Sequence, residues 1–157
     1  MTGGRGRTQQ ERCQVLLVGG YPPLYGGVNV HCQRLAEALR SHVDVRVIDY
    51  LRDAPAGWDP EHPFVYRAGQ VHVKRRRTLR ILWQLRRMSC DVVHFHAGSF
   101  NNFALLALPM LAVLPPRART VVTIHSGSFP AQVRKASPVR RLLMARVLRG
   151  FDRVICV

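Results

Sequence analysis

The sequence has few acidic residues for its size. Its 157 residues include 9 Asp and Glu against 24 Lys and Arg, which gives a formal net charge of +15. Such an excess favours anionic partners, namely phosphorylated ligands, nucleic acid or a membrane surface. The other interpretation is that the arginines are simply solvated side chains, and composition alone leaves both open.

Closely spaced cysteines, a secretory signal and a long apolar run are all missing. The four cysteines lie far apart with no CxxC pair, and a polar segment, TGGRGRTQQER, precedes the first of them. We therefore expect reduced thiols in a cytoplasmic protein, without a disulfide or zinc framework. The longest apolar run, 103–114, is too short to span a bilayer.

The two common glycine signatures of nucleotide sites are also absent. The turn GGYPPLYGGV matches neither GxGxxG nor GxxxxGK[ST]. Asp49 ends the second predicted strand, where a dinucleotide-binding domain keeps its ribose-binding acid. The long turn nevertheless argues against a nicotinamide or flavin enzyme.

What the sequence does contain is an apolar strand, a glycine turn and a helix, over residues 15–29. Val15–Val18 predicts a strand buried on both faces, and Gly26 and Gly27 open a helical pattern. Free N–H groups and the helix dipole make such a helix start favourable for phosphate. Glycine lets a ligand approach the backbone closely. This stretch predicts a nucleotide or phosphate ligand without saying which.

The rest of the chain alternates strands with helices. We predict strands at 13–18, 43–48, 64–67 or 71–73, 91–95, 119–124 and 152–157, and helices at 27–40, 74–88, 100–114 and 138–149. Residues 50–63 and 126–137 are predicted loops, and Pro109 is expected to kink or end its helix. The pattern indicates an α/β fold in which helices cover both faces of a mainly parallel sheet. Residues 1–12 are a predicted disordered basic tail, and 13–157 form one three-layer Rossmann-like domain.

Polar residues and glycines follow the predicted parallel strands at the point where each strand ends. These ends carry Gly19-Gly20, Asp49, residues 96–99 (HAGS) and residues 125–127 (HSG). In open α/β sheets, ligands bind outside the carboxyl ends of the strands. The sequence therefore predicts a polar ligand crevice at this edge of the sheet.

Histidines are the candidate chemical groups in that crevice. His125 directly follows a strand, where it can donate to a hydroxyl or phosphate oxygen, act as a base, or simply pack at the sheet end. His94 and His96 lie two residues apart and so share a face of their strand. A metal would need further ligands, for which only Cys90 and His125 are candidates, and we expect no metal site.

Residues Lys74–Arg87 (KRRRTLRILWQLRR) predict a basic amphipathic helix that includes Trp83. Such a helix can lie on anionic lipid. It can equally be the solvated outer face of a helix that covers the sheet. The chain has the positive charge that nucleic-acid binding needs but no recognisable nucleic-acid-binding motif, so we expect no specific nucleic-acid partner.

Four segments in order resemble the N-terminal domain of family 4 glycosyltransferases, retaining enzymes of the two-domain GT-B fold. The segments are PPLYGGVNVHCQRLAEAL, DVVHFHAGSF, TVVTIHSGSF and FDRVICV. The resemblance implies that this is the acceptor-side half of an enzyme that transfers a sugar, of hexosyltransferase type, from a nucleotide-sugar donor with retained configuration. Together with the basic helix, it leads us to expect an acceptor that is lipid-linked or part of a cell-envelope glycan.

The resemblance also implies roles for individual residues. Gly26 and Gly27 would face the donor diphosphate and the acceptor, and His125 would lie beside the transferred sugar as the catalytic residue. His96 would line the cleft, and Ser126 and Gly127 would shape the same wall. Such enzymes need no metal or other cofactor, because helix dipoles and basic side chains stabilise the leaving diphosphate. No protein nucleophile is assigned.

In a GT-B enzyme, a second domain holds most of the nucleotide-sugar site, including two acidic residues seven apart. This sequence does not contain that C-terminal domain, so we expect these 157 residues alone to be inactive. We expect the enzyme to be cytoplasmic, and peripheral on the inner face of the membrane if the basic helix binds lipid. The alternative is a non-catalytic basic domain that binds anionic membrane or nucleic acid.

Overall fold

The computed structural model describes residues 12–23, 26–50, 55–69, 74–98 and 100–157. All of the predicted basic tail except Arg12 lies outside these residues. The alternative strand at 71–73 and the strand-end residue Ser99 lie outside them as well.

Along most of the described residues, strands alternate with helices as the sequence pattern predicts. The strands are β1 (Gln14–Gly19), β2 (Asp44–Asp49), β3 (Gly57–Trp58), β4 (Val65–Arg67), β5 (Val92–Ala97), β6 (Arg119–Ile124) and β7 (Arg153–Cys156). The helices are α1 (Gly27–Leu39), α2 (Lys74–Arg87), α3 (Phe100–Val113), α4 (Phe129–Lys135) and α5 (Pro138–Arg149).

The seven strands form one sheet in the order β3-β4-β2-β1-β5-β6-β7. All pairs are parallel except β3 with β4. Gly19 at the end of β1 is in register with Asp49 at the end of β2, and Ala97 of β5 with Ile124 of β6. The prediction of a mainly parallel, Rossmann-like α/β domain is therefore confirmed.

Helices cover both faces of the sheet because alternate residues of the central strands point to opposite sides. Leu17 joins an apolar cluster with Cys32 and Ala36 of α1. Leu16 and Val18 belong to a larger cluster on the other face, which contains residues of α2, α3 and α5. All four cysteines are free thiols, Cys32 and Cys90 within the core and the other two exposed.

Two predicted loops contain regular structure, so those predictions were wrong in part. Within 50–63, Gly57 adopts φ +141°, which L side chains rarely adopt, and the chain then pairs as β3 against β4. Within 126–137, Phe129 is buried and α4 begins there with a proline in its first turn, a position that proline favours. Proline at 109 does not end its helix, since α3 continues to Val113.

Candidate functional site

The candidate site lies where the order of the sheet reverses, at the carboxyl ends of β1 and β5. The chain passes from β1 to β2 and β4 on one side and then to β5 and β6 on the other. Loops diverge at such a switch point and leave a crevice for ligands. A Cβ built on Gly98 would be 3.3 Å from a methyl group of Val28, so the first turn of α1 lies close to the end of β5.

His96 and His125 are brought together by the register of β5 and β6. His96 Nδ1 lies 3.0 Å from His125 Nε2, so one of the two nitrogens donates a hydrogen to the other. His96 has no exposed surface, whereas His125 is half-buried. His96 Nε2 has no hydrogen-bond partner among the described residues. The buried ring therefore positions the outer one.

The last residue of β1 makes room for His96. A Cβ on Gly19 would lie 3.1 Å from the Cβ of His96 and 3.5 Å from the sulfur of Cys32. The first of these distances is shorter than most Cβ contacts, so any side chain at this position would displace the imidazole. Glycine here serves the close approach of two strands and a helix.

His31 is a third member of the cluster, and sequence reasoning missed it. Its exposed ring lies 4.7 Å from that of His125 and 5.6 Å from that of His96, between centroids. One ring nitrogen from each of the three histidines lies within 4.8 Å of the other two. The signal was present in the sequence, because His31 follows Gly27 by one helical turn and so shares its face.

Burial and mutual repulsion keep the inner histidines uncharged at neutral pH. His94 stacks on His96 with ring centres 4.3 Å apart, and its Nε2 lies 2.7 Å from Thr123 Oγ1. Burial, with the neighbouring histidines, lowers the pKa of His94 to about 4 and that of His96 to about 2. Burial and His31 also lower the pKa of His125. These rings can exchange a proton or donate a lone pair, but they supply no fixed positive charge.

Gly26 and Gly27 start α1 with their backbone exposed to solvent. Gly26 is the N-cap in an extended conformation, without a side-chain hydrogen bond to the helix, and the first turn has no acidic residue. A Cβ at either glycine would meet nothing within 4 Å. Neither packing nor an unusual φ therefore requires glycine here, and the exposed backbone at the helix start is open to an anion.

Ser126 and Gly127 connect His125 to α4. The Ser126 hydroxyl lies 2.9 Å from the hydroxyl of Ser128, which also accepts a hydrogen bond from Gln132. Gly127 is exposed, with nothing within 4 Å of a Cβ built on it. Both residues directly follow His125 in the chain.

Asp49 is not available to a ribose. It is 1% exposed and pairs with Arg67, which is itself 3% exposed. Arg67 also binds Asp59 through Nε and a terminal nitrogen, and it donates to the carbonyls of Tyr21 and Pro22. All five N–H groups of the guanidinium are thus used. This ion cluster holds the start of the glycine turn against β2 and β4.

Helix α2 presents apolar side chains to solvent among its basic residues. Leu79 is 58% exposed and Trp83 51% exposed, while Ile81 and Leu85 are buried against the sheet. The guanidinium carbon of Arg87 lies 3.8 Å from the centre of the Trp83 ring, in a cation–π contact. In the part of the chain that the structure describes, no helix has the length and apolar character needed to cross a bilayer.

Comparison of the sequence with known protein families gives a match. A family profile described as Glycosyltransferase Family 4 matches residues 25–157, which include α1, the strands β2 to β7 and every histidine of the cluster. A comparison with curated proteins gave no match. The matched region covers most of the chain and agrees with the Rossmann-like sheet and with a general role in glycosyl transfer. The chain belongs to Glycosyltransferase Family 4.

Proposed function

We propose that this domain forms the acceptor-side wall of an enzyme that transfers a hexose from a nucleotide-sugar to an acceptor with retained configuration. The observation that carries the proposal is the placement of His125. Its half-buried ring lies at the carboxyl end of β6, bonded to buried His96 and in contact with His31 of α1. The exposed glycine start of the same helix lies one helical turn before His31.

The start of α1 would stabilise the leaving diphosphate. The exposed backbone of Gly26 and Gly27 and the positive end of the helix dipole would face the charge that develops as the sugar departs. The inner histidines cannot share this work because burial keeps them neutral. The rest of the positive charge would come from the nucleotide-binding domain of the GT-B fold.

His125 would orient the transferred sugar. With His96 Nδ1 as donor, His125 Nε2 accepts, and the other ring nitrogen of His125 keeps its hydrogen. That N–H can donate to a sugar hydroxyl, and Ser126 and Gly127 would shape the adjoining wall. Neither a protein nucleophile nor a metal cofactor is part of the proposed reaction, in which the acceptor attacks on the face from which the diphosphate leaves.

A transfer assay on the natural gene product tests the proposal. Gly27→Val should lower transfer from nucleotide-sugars by about 100-fold or more, because the branched side chain blocks close approach of a ligand. The fold should remain intact, since a Cβ at this position meets nothing. His125→Ala should show a similar loss, and the exposed His42→Ala serves as the matched control.

Wild-type turnover in Gly27→Val would remove the glycine turn from the mechanism. NMR of the product tests retention separately, since an inverted anomeric configuration would contradict it while leaving the transferase class in place.

We further propose that the acceptor is lipid-linked or part of a cell-envelope glycan and that α2 holds the enzyme on an anionic membrane from the cytoplasmic side. Leu79 and Trp83 would enter the interface, and the flanking arginines would bind lipid phosphates. Exposure of two large apolar residues on a basic helix supports this orientation.

Tryptophan fluorescence tests the membrane contact. The chain has two tryptophans, so a Trp58→Phe background leaves Trp83 as the single reporter. Vesicles with anionic lipid should shift the Trp83 emission to the blue, and Arg86→Gln with Arg87→Gln should weaken binding. Arg140→Gln with Arg141→Gln, at exposed positions of α5, is the control pair. Equal binding to neutral vesicles would contradict an electrostatic contact.

The rival function is a non-catalytic basic domain. It predicts tight binding of DNA or RNA that weakens steeply with salt, with no effect of nucleotide-sugars. That result, together with an inactive natural gene product, would favour the rival.

A further inference from the structure

We propose that His31, His96 and His125 form a binding site for a divalent first-row transition metal such as Zn²⁺. Each histidine offers one ring nitrogen, and the three nitrogens lie within 4.8 Å of one another. Imidazole suits zinc, copper and nickel, so the chemistry of the three side chains favours this class of ion over calcium or magnesium.

The distances are close to those that a metal needs. Zinc–nitrogen bonds of about 2.0–2.1 Å at tetrahedral angles place two ligand nitrogens roughly 3.3 Å apart. His96 Nδ1 and His125 Nε2 lie 3.0 Å apart and point at each other through a shared hydrogen. A metal in place of that hydrogen would require the nitrogens to move apart by about 0.3 Å and the rings to turn, so that their lone pairs meet at a point off the line between the nitrogens. The protons would then reside on the other nitrogen of each ring.

The three ligands come from three different elements that are fixed by packing. His96 is fully buried and stacked on His94, so its ring has little freedom. His125 follows β6, whose register with β5 sets the spacing. His31 is exposed on α1, so its side chain can turn toward a metal without disturbing the core. The open side at His31 would leave a fourth position for water, as in sites with three protein ligands.

This site overlaps the proposed sugar site, since His125 belongs to both. Metal and substrate should therefore compete, a consequence that rests on the proposed function. Metal binding itself does not depend on it and is measured on the chain alone.

Calorimetric titration with Zn²⁺, and absorption titration with Co²⁺, test the proposal. The protein should be free of affinity tags and carry Cys13→Ser and Cys156→Ser, because these exposed thiols could bind metal. One equivalent should bind, and the cobalt spectrum should indicate nitrogen ligands without a thiolate band. His31→Ala and His125→Ala should each weaken binding by at least about tenfold. Loss of a residue that merely hydrogen-bonds to a metal ligand already costs that much affinity.

His42→Ala is the matched control, because this histidine is exposed and lies outside the cluster. Retained circular dichroism in each variant would show that a loss of binding is not a loss of fold. Absence of binding at millimolar Zn²⁺, or equal affinity in His31→Ala and the wild-type chain, would overturn the three-histidine site. A natural gene product that binds Zn²⁺ but transfers no sugar would contradict the proposed function and leave the metal site standing.

Discussion

Two polar clusters lie at the same edge of the sheet, and they differ in burial and in hydrogen bonding. The Arg67 cluster, with Asp49 and Asp59, is nearly inaccessible, and every N–H of the guanidinium has an acceptor. The histidine cluster, His31, His96 and His125, runs from the core to the surface and leaves His96 Nε2 without a partner among the described residues.

This difference separates a structural role from a functional one. A fully satisfied ion cluster has no capacity left for a ligand, and its removal leaves buried charges. A cluster with an open outer face and neutral rings can still bind a substrate or a metal. Position at the carboxyl ends of strands, which both clusters share, does not distinguish them.

The largest expected effect is on stability, in Arg67→Met. The substitution leaves two buried carboxylates without their guanidinium and two backbone carbonyls without a donor. We expect the free energy of unfolding to fall by about 3–5 kcal/mol, the usual cost of breaking a buried pair. Urea denaturation at neutral pH measures it.

The matched control is Arg119→Met, which removes the exposed ion pair with Asp152 and should cost at most about 1 kcal/mol. Asp49→Asn with Asp59→Asn should make the Arg67 substitution less harmful, because fewer charges are then left unpaired. A cost for Arg67→Met no greater than that of Arg119→Met would show that the cluster is not structural.

A smaller effect is expected at the base of the histidine cluster, in Gly19→Ala. The added methyl group would lie 3.1 Å from the Cβ of His96, and overpacking of this kind costs about 1–3 kcal/mol. The ring resonances of His96 and His125 should shift as well. Gly127→Ala has free space and should leave stability unchanged. Equal stability of the two variants would mean that β1 does not constrain His96.

Much of the fold could be predicted from the sequence because hydrophobic periodicity reports directly on burial. The run VLLV predicts β1, and the parallel sheet follows from strands that alternate with helices. The short strand β3 and the helix α4 could not be read in this way. Gly57 needs an unusual φ, and α4 depends on one buried residue, Phe129, so neither has enough repeats to show a period.

The candidate site was predictable only in part. His96 and His125 were expected at strand ends, but their contact depends on the register of β5 and β6, which the sequence does not state. His31 was missed because it lies on a helix far from them in the chain. Asp49 ends its strand as a ribose-binding acid would, yet it pairs with Arg67, and only the tertiary structure shows that pairing.

The smallest effect is on the pH dependence of stability, where the two clusters should respond in different ranges. An unfolded histidine titrates near pH 6.5, whereas the pKa of His94 in the fold is about 4. The unfolded chain therefore takes up protons that the fold excludes, and stability falls as pH drops from 6.5 to 4, by at most about 1.4 kcal/mol per pH unit for each histidine. Burial alone would raise the pKa of Asp59, but hydrogen bonds from Arg67 and from two backbone N–H groups have the larger effect, and the pKa is lowered. The stability that Asp59 contributes is therefore lost only at more acidic pH.

His94→Gln removes one titrating ring. With chelator present, the free energy of unfolding of this variant should fall by about 1 kcal/mol less than that of the wild-type chain between pH 7 and pH 5, allowing for partial exposure. His42→Gln, at an exposed position, should behave as the wild-type chain does, and identical losses in all three proteins would show that burial of His94 does not couple to folding.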